Sequence, residues 1–347
     1  MAFVTGSALG RIFGRLSLGC ALLACLMTAA LPAERSLDPA AQVRAMGRGM
    51  NVLGYDPLWS DPAKARFKTE DFRVIREGGF LTIRVNLQAF AHMDAAGNLD
   101  PNWLKTLDWV VKEGTAAGLQ VILDEHDFKP CAADAASCGQ KLGAFWQQVG
   151  TRYADAPPNV IFELLNEPHG QLTADVWNHM LADLLGVVRA TNPQRNVIVG
   201  PIQSNSFRAL GSLVLPEGDR HLIVTIHYYD PFRFTHQGAP WSLTTVSHTG
   251  IAWGSPEERA QVGRDFDTVA AWARAHDRPI FLGEFGAYDR ADMSSRAAYL
   301  GAVARAAEER GFAWAYWQFD SDFVAYDIKA ASWIEPIHDA LVPGAAR

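Results

Sequence analysis

Between residues 48 and 317 the sequence alternates eight short apolar runs with longer stretches of helical period. The runs carry little polar alternation, so they do not read as strands with one wet face. They read as strands buried on both sides, the condition of a parallel sheet covered by crossover helices. They are Arg48–Leu53, Leu81–Leu87, Leu119–Asp124, Val160–Leu165, Asn196–Gly200, Leu222–Ile226, Pro279–Gly283 and Phe312–Trp317. Helix signals fall between them. Asp61-Pro62 opens a segment through Phe67, Phe72 and Ile75 to Gly78-Gly79, and Asp100-Pro101 opens another through Leu104, Leu107 and Val111 to Gly118. Further helical stretches cover Ala144–Tyr153, Ala174–Ala190, Glu257–Ala275, Arg296–Glu309 and Trp333–Leu341, while the crossover around Phe207–Leu215 is short and poorly specified. Eight strand and helix units in one domain predict an α/β fold of the (β/α)8, or TIM, barrel type, with chemistry on the loops at the carboxyl ends of the strands. A doubly wound sheet would normally carry a glycine-rich dinucleotide loop after its first strand. Gly47-Arg48-Gly49 lacks the third glycine. The chain also has no P-loop, no G-x-S-x-G elbow and no H-E-x-x-H motif.

The organisation expected is a secretory signal peptide over 1–33, a short lead-in over 34–46, the barrel over 47–341 and a tail over 342–347. Arg11 and Arg15 precede an apolar run ending in small residues, with Ala30 or Ala33 as the last residue removed. That layout predicts a secreted or periplasmic protein with no stable membrane association after cleavage. Lys and Arg number 31 against 38 Asp and Glu, so the surface has no electrostatic footprint for nucleic acid. Of four cysteines, Cys20 and Cys25 leave with the signal. Cys131 and Cys138 are close in sequence and, in an oxidising compartment, are expected to form one disulfide pinning a surface loop. No C-x-x-C pair or H-x-H pair indicates a metal, and no cofactor is expected.

Two glutamates end apolar runs: Glu167, after Val160 to Asn166 and before Pro168, and Glu284, after Ile280 to Gly283. At the ends of strands four and seven they face each other across the barrel mouth. Carboxyls held roughly 5 Å apart are what retaining glycoside hydrolysis needs, one as nucleophile and one as acid and then base. The run around Asn166-Glu167-Pro168 resembles the signature of glycoside hydrolase family 5, the cellulase and mannanase family. The likeness extends to Arg84 on strand two, His126 on strand three, His227 and Tyr229 on strand six and Trp317 on strand eight, all in order, and spans about Gly47 to Leu341. It implies Glu284 as nucleophile, kept ionised by Arg84 and Tyr229, and Glu167 as acid/base. Asn166 would donate to the sugar 2-hydroxyl, and His126 and His227 would position substrate and acid. The segment Phe234 to Gly238 also resembles family cellulases, which makes His236 a subsite candidate. Trp59, Trp241 and Trp253 fall in loops on the catalytic face and are expected as sugar platforms, whereas Trp103, Trp109, Trp146, Trp177 and Trp272 lie in helical stretches and are expected to pack.

The reading is a metal-independent, retaining endo-β-1,4-glucanase acting as a monomer on β-glucan polysaccharide or oligosaccharide. A mannanase, xyloglucanase or mixed-linkage glucanase would share the same centre. A β-glucan-binding barrel without hydrolysis would normally have replaced one glutamate, and this chain has both.

Overall fold

A computed structural model describes residues 37–344. The signal-peptide reading of 1–33, with Cys20 and Cys25, lies outside the described residues. Eight parallel strands close into a barrel in sequence order: β1 Arg48–Val52, β2 Thr82–Leu87, β3 Gln120–Glu125, β4 Val160–Glu163, β5 Val197–Val199, β6 Leu222–Tyr228, β7 Ile280–Phe285 and β8 Ala313–Tyr316, with β1 paired to both β2 and β8. Among the described residues, no helix is long and apolar enough to cross a membrane.

The stretch read as a lead-in carries helix α1, Pro39–Met46, capped by Asp38, whose carboxylate accepts from the N–H groups of Ala40 and Ala41. It plugs the amino end of the barrel. Val43 and Met46 meet inward residues of the strands: Ile122, Ile161, Ile198, Ile223, Phe281, Ala313 and Ala315. Asn196 on the barrel floor donates to the Leu37 carbonyl and to Gln42, which pins α1 in place.

The outer layer is α2 Thr69–Glu77, α3 Pro101–Ala116, α4 Phe128–Ala133, α5 Ala135–Arg152, α6 Ala174–Arg189, α7 Pro256–His276, α8 Met293–Glu309 and α9 Glu335–Leu341. Two helix expectations change. Asp61-Pro62 opens only a 3-10 turn, Pro62–Lys64, and the helix proper starts at Thr69. Helix α5 begins at Ala135, ahead of the expected Ala144, because Asp134 accepts from the Ser137 N–H and caps it. Cys138 is therefore helical. The disulfide forms, with α-carbons 4.7 Å apart, but it is buried and joins α4 to α5 rather than pinning an exposed loop.

Trp103, Trp146 and Trp177 are buried as expected, and two of them tie helices to strand ends. Trp146 donates to the Leu164 carbonyl and Trp177 to the Gly200 carbonyl. Trp253 is a correction: it is 6% exposed, packed on Phe234 and Tyr299 with Arg259 over its ring, and so belongs to the core. Trp59 is half-committed to the core, lying against Trp103 and donating to the Leu53 carbonyl. Trp241 stays exposed, edge-on to Tyr288.

Candidate active site

Strand alternation decides which residues enter the barrel. On β2, Arg84 and Asn86 follow Thr82 inward; on β3, Asp124 and then His126 follow Ile122; on β4, Glu163 follows Ile161. On β7 the period breaks. Phe281 points inward, so strict alternation would turn Glu284 out, but the pairing with β6 slips between Ile226 and His227 and sets His227 opposite Glu284. This bulge re-aims Glu284 into the barrel and leaves Phe285 against Trp314 on the outside. Gly283 is required there. A β-carbon would sit 2.6 Å from Thr225 Oγ1 and 3.0 Å from His227 Nε2.

Arg84 organises the site and has no exposed surface. Its Nε and Nη2 reach the two oxygens of Glu163, each at 2.8 Å, and Nη1 reaches Glu284 Oε1 at 2.7 Å and Asn51 Oδ1 at 2.9 Å. Nη2 also bonds Asn166 Oδ1 at 2.8 Å and lies 3.1 Å from Asp124 Oδ2. Burial alone would lower its proton affinity, but Asp124, Glu163 and Glu284 push it well above the ordinary value. One cation cannot neutralise three carboxylates. Burial accordingly pushes Asp124 up to about 7 and raises Glu163.

Arg84 only donates, so it fixes the Asn166 amide with Oδ1 toward itself and Nδ2 toward His126 Nε2, 3.3 Å away. Nε2 of His126 then accepts, and its Nδ1–H donates to Asp124 Oδ2 at 2.6 Å. Burial pulls this ring down to about 4, so it is neutral at pH 7. Trp317 stacks on it, centroids 5.6 Å apart and 8° from parallel.

Tyr229 donates to Glu284 Oε2 at 2.9 Å, so both oxygens of that carboxylate face a donor. His227 Nδ1 lies 2.9 Å from Glu167 Oε1 and 3.5 Å from Glu284 Oε2. Burial raises the Glu167 carboxyl above the ordinary glutamate range, against the lowering effect of His126, Arg84 and His169. An oxygen of Glu167, Nδ1 or Nε2 of His227 and an oxygen of Glu284 lie within 4.8 Å of one another. These three could ligate a cation, but an ion would have to compete for Glu284 with Arg84 and Tyr229. Without one, the pair sets Glu284, held by Arg84 and Tyr229, beside a Glu167 carboxyl whose proton affinity burial raises. This approach of one oxygen from each carboxyl suits direct attack on a sugar carbon, for which the groups stand roughly 5–5.5 Å apart, better than the roughly 6.5–9.5 Å that seats a water between acid and base.

His236 is brought to the back of the site, 9% exposed and packed edge-on to Tyr229 and flat on Phe232. Several residues went unread in the sequence: Glu163, Asp124, Asn51, Asn86, Asn205 and Tyr55. The first two carried a signal, since a carboxylate two residues after an inward isoleucine must also point inward. Tyr55, half exposed, sets its ring edge-on to Trp317; burial, then Glu284, Asp322 and Glu167, push its hydroxyl up to about 12. Backbone strain gathers at this end: Glu167, Gln203, Ser204 and Asn205 have φ of 45°, 61°, 57° and 56°. Each such conformation costs about 1–2 kcal/mol in a residue with a β-carbon.

Residues 43–322 match the family model described as Cellulase (glycosyl hydrolase family 5). Endoglucanase H of Acetivibrio thermocellus is 30% identical over 88% of this chain, and Cellulase/esterase CelE of the same organism is 28% identical over 84%. The chain spans only 34% and 38% of the length of these two relatives. Thermotoga maritima Cel5A, solved with cellobiose and with mannotriose, superposes with a TM-score of 0.84 at 34% identity, covering 88% of this chain and 100% of that one. The chain therefore belongs to glycosyl hydrolase family 5, the cellulase family.

Proposed function

We propose that the protein is a retaining endo-β-1,4-glucanase in which Glu284 is the nucleophile and Glu167 the acid and then the base. The observation that carries this reading is that an oxygen of Glu167 and an oxygen of Glu284 approach within 4.8 Å at the barrel mouth. In the first step Glu284 attacks the anomeric carbon while Glu167 protonates the departing glycosidic oxygen, and a glycosyl ester forms. The ester consumes the negative charge of Glu284, so the proton affinity of Glu167 falls. Glu167 then takes a proton from the water that cleaves the ester. Arg84 and Tyr229, each donating to one of its oxygens, hold Glu284 aimed. The Asn166 amide, anchored by Arg84 and His126, keeps an N–H for the sugar 2-hydroxyl, a bond that strengthens as positive charge grows on the ring.

Trp241, exposed at the rim, offers a flat ring to a glucose unit. Residues 1–33 direct export to the periplasm or beyond, and the site is complete within one chain, which suits a monomer. The mannotriose complex of Thermotoga maritima Cel5A favours one second reading, a preference for mannan. Reducing-sugar release from carboxymethylcellulose, galactomannan, xyloglucan and lichenan, measured side by side, tests the substrate; cellulose or lichenan is expected to lead. Proton NMR of the first-formed product tests the bond chemistry. The β anomer is expected first, and an initial α anomer would contradict the scheme.

A further inference from the structure

Strand β5 ends at Val199, and six residues later a strained turn delivers Asn205, fully buried, to His227: its Nδ2 lies 3.2 Å from the ring's Nε2. The Asn205 Oδ1 has no hydrogen-bond partner and lies over Gly200, where a β-carbon would come within 2.0 Å of it. Gly200 makes that room. The amide oxygen therefore rests against a glycine α-carbon, and the N–H faces the imidazole. The same turn is anchored to the neighbour of Glu167, because the Ser204 N–H donates to the Pro168 carbonyl at 3.3 Å, and Ser206 bridges to His227 through the backbone.

We propose that Asn205 is a positioning residue for the reaction: by donating to Nε2 it fixes the His227 tautomer with hydrogen on Nδ1, and so keeps the Glu167 proton off the ring. The inference rests on the reading of Glu167 as the acid. An Nδ1–H can only donate, so Glu167 Oε1, 2.9 Å away, must accept, and the acid's own proton is left to Oε2. In the other tautomer the Nδ1 lone pair would accept the Glu167 proton and withdraw it from the glycosidic oxygen. Burial pulls the ring down to about 4, so the tautomer rather than a second proton decides which nitrogen donates.

Asn205→Asp tests this, because aspartate tolerates left-handed backbone as asparagine does but offers Nε2 only acceptors. Nitrogen-15 NMR of the histidine-labelled protein at about pH 8, where the ring is neutral, should show Nδ1 protonated and Nε2 bare in the wild type, and the reverse in the variant. The variant's kcat on cellohexaose should fall about 10- to 100-fold, whereas kcat on 2,4-dinitrophenyl β-cellobioside, whose leaving group needs no proton, should stay within about threefold. A wild-type ring protonated on Nε2, or a mixture of tautomers, overturns the proposal. So does an inverted tautomer without the selective loss, or an equal loss on both substrates. If the variant does not fold, the wild-type spectrum decides alone. Failure of the acid assignment is distinguishable: Glu167→Ala would then retain cellohexaose hydrolysis while the His227 tautomer stood as described.

Discussion

The two ends of the barrel are built from the same strands and differ completely in chemistry. On β3 the inward residue is Ile122 at the amino end and Asp124 one step further; on β4 it is Ile161 and then Glu163. The amino end is closed by α1 and filled with hydrocarbon, so it contributes stability through burial and asks nothing of orientation. At the carboxyl end the same interior holds Arg84 among Asp124, Glu163 and Glu284, each paired, and the price of that burial is met by geometry. Ionisable groups two residues away from an apolar plug are tolerated because every one faces a partner. The floor of the barrel makes the fold; the mouth holds charges whose positions are fixed before substrate arrives.

This contrast can be broken from either end. The largest effect is expected at Glu284: Glu284→Ala should lower kcat at least about 10⁴-fold, with little change in Tm, since Arg84 keeps its two hydrogen bonds to Glu163. Azide should restore turnover with inverted product stereochemistry. Next, Glu167→Ala should cost about 10²–10⁴-fold on cellohexaose and far less on a dinitrophenyl glycoside. In the proposed scheme the free enzyme needs this carboxyl protonated, so kcat/KM should fall as pH rises through its affinity, which burial holds above the ordinary range. The alkaline limb should therefore disappear in the variant when an activated substrate is used. At the other end, Ile161→Ala should destabilise the protein by about 2–5 kcal/mol in urea melts and leave kcat unchanged at temperatures where the chain stays folded. A large loss of kcat there would mean that floor and mouth are coupled. The smallest effect is expected from prolonged chelation and dialysis, which should not alter activity. If activity vanished and zinc restored it, Glu167, His227 and Glu284 would be metal ligands instead.

The strand order was legible because buried parallel strands announce themselves as apolar runs; Glu167 and Glu284 stood out because they follow such runs directly, and Arg84 because it is a charge in the middle of one. What was not legible depended on register or on partners distant in sequence. The inward turn of Glu284 depends on a bulge against β6, which no local pattern reveals. Trp253 sits in a polar segment yet packs inward on Tyr299, and the plug helix α1 is only eight residues long. Asn205 is placed by three left-handed residues that sequence propensity argues against.

The most direct measurement is mass spectrometry of the protein after incubation with a 2-deoxy-2-fluoro cellobiosyl fluoride, which slows both steps and lets a glycosyl ester accumulate. The account predicts one added 2-deoxy-2-fluorocellobiosyl group, carried by the peptide containing Glu284 and absent from Glu284→Gln. A label on the Glu167 peptide, or inactivation with no covalent mass added, would contradict it.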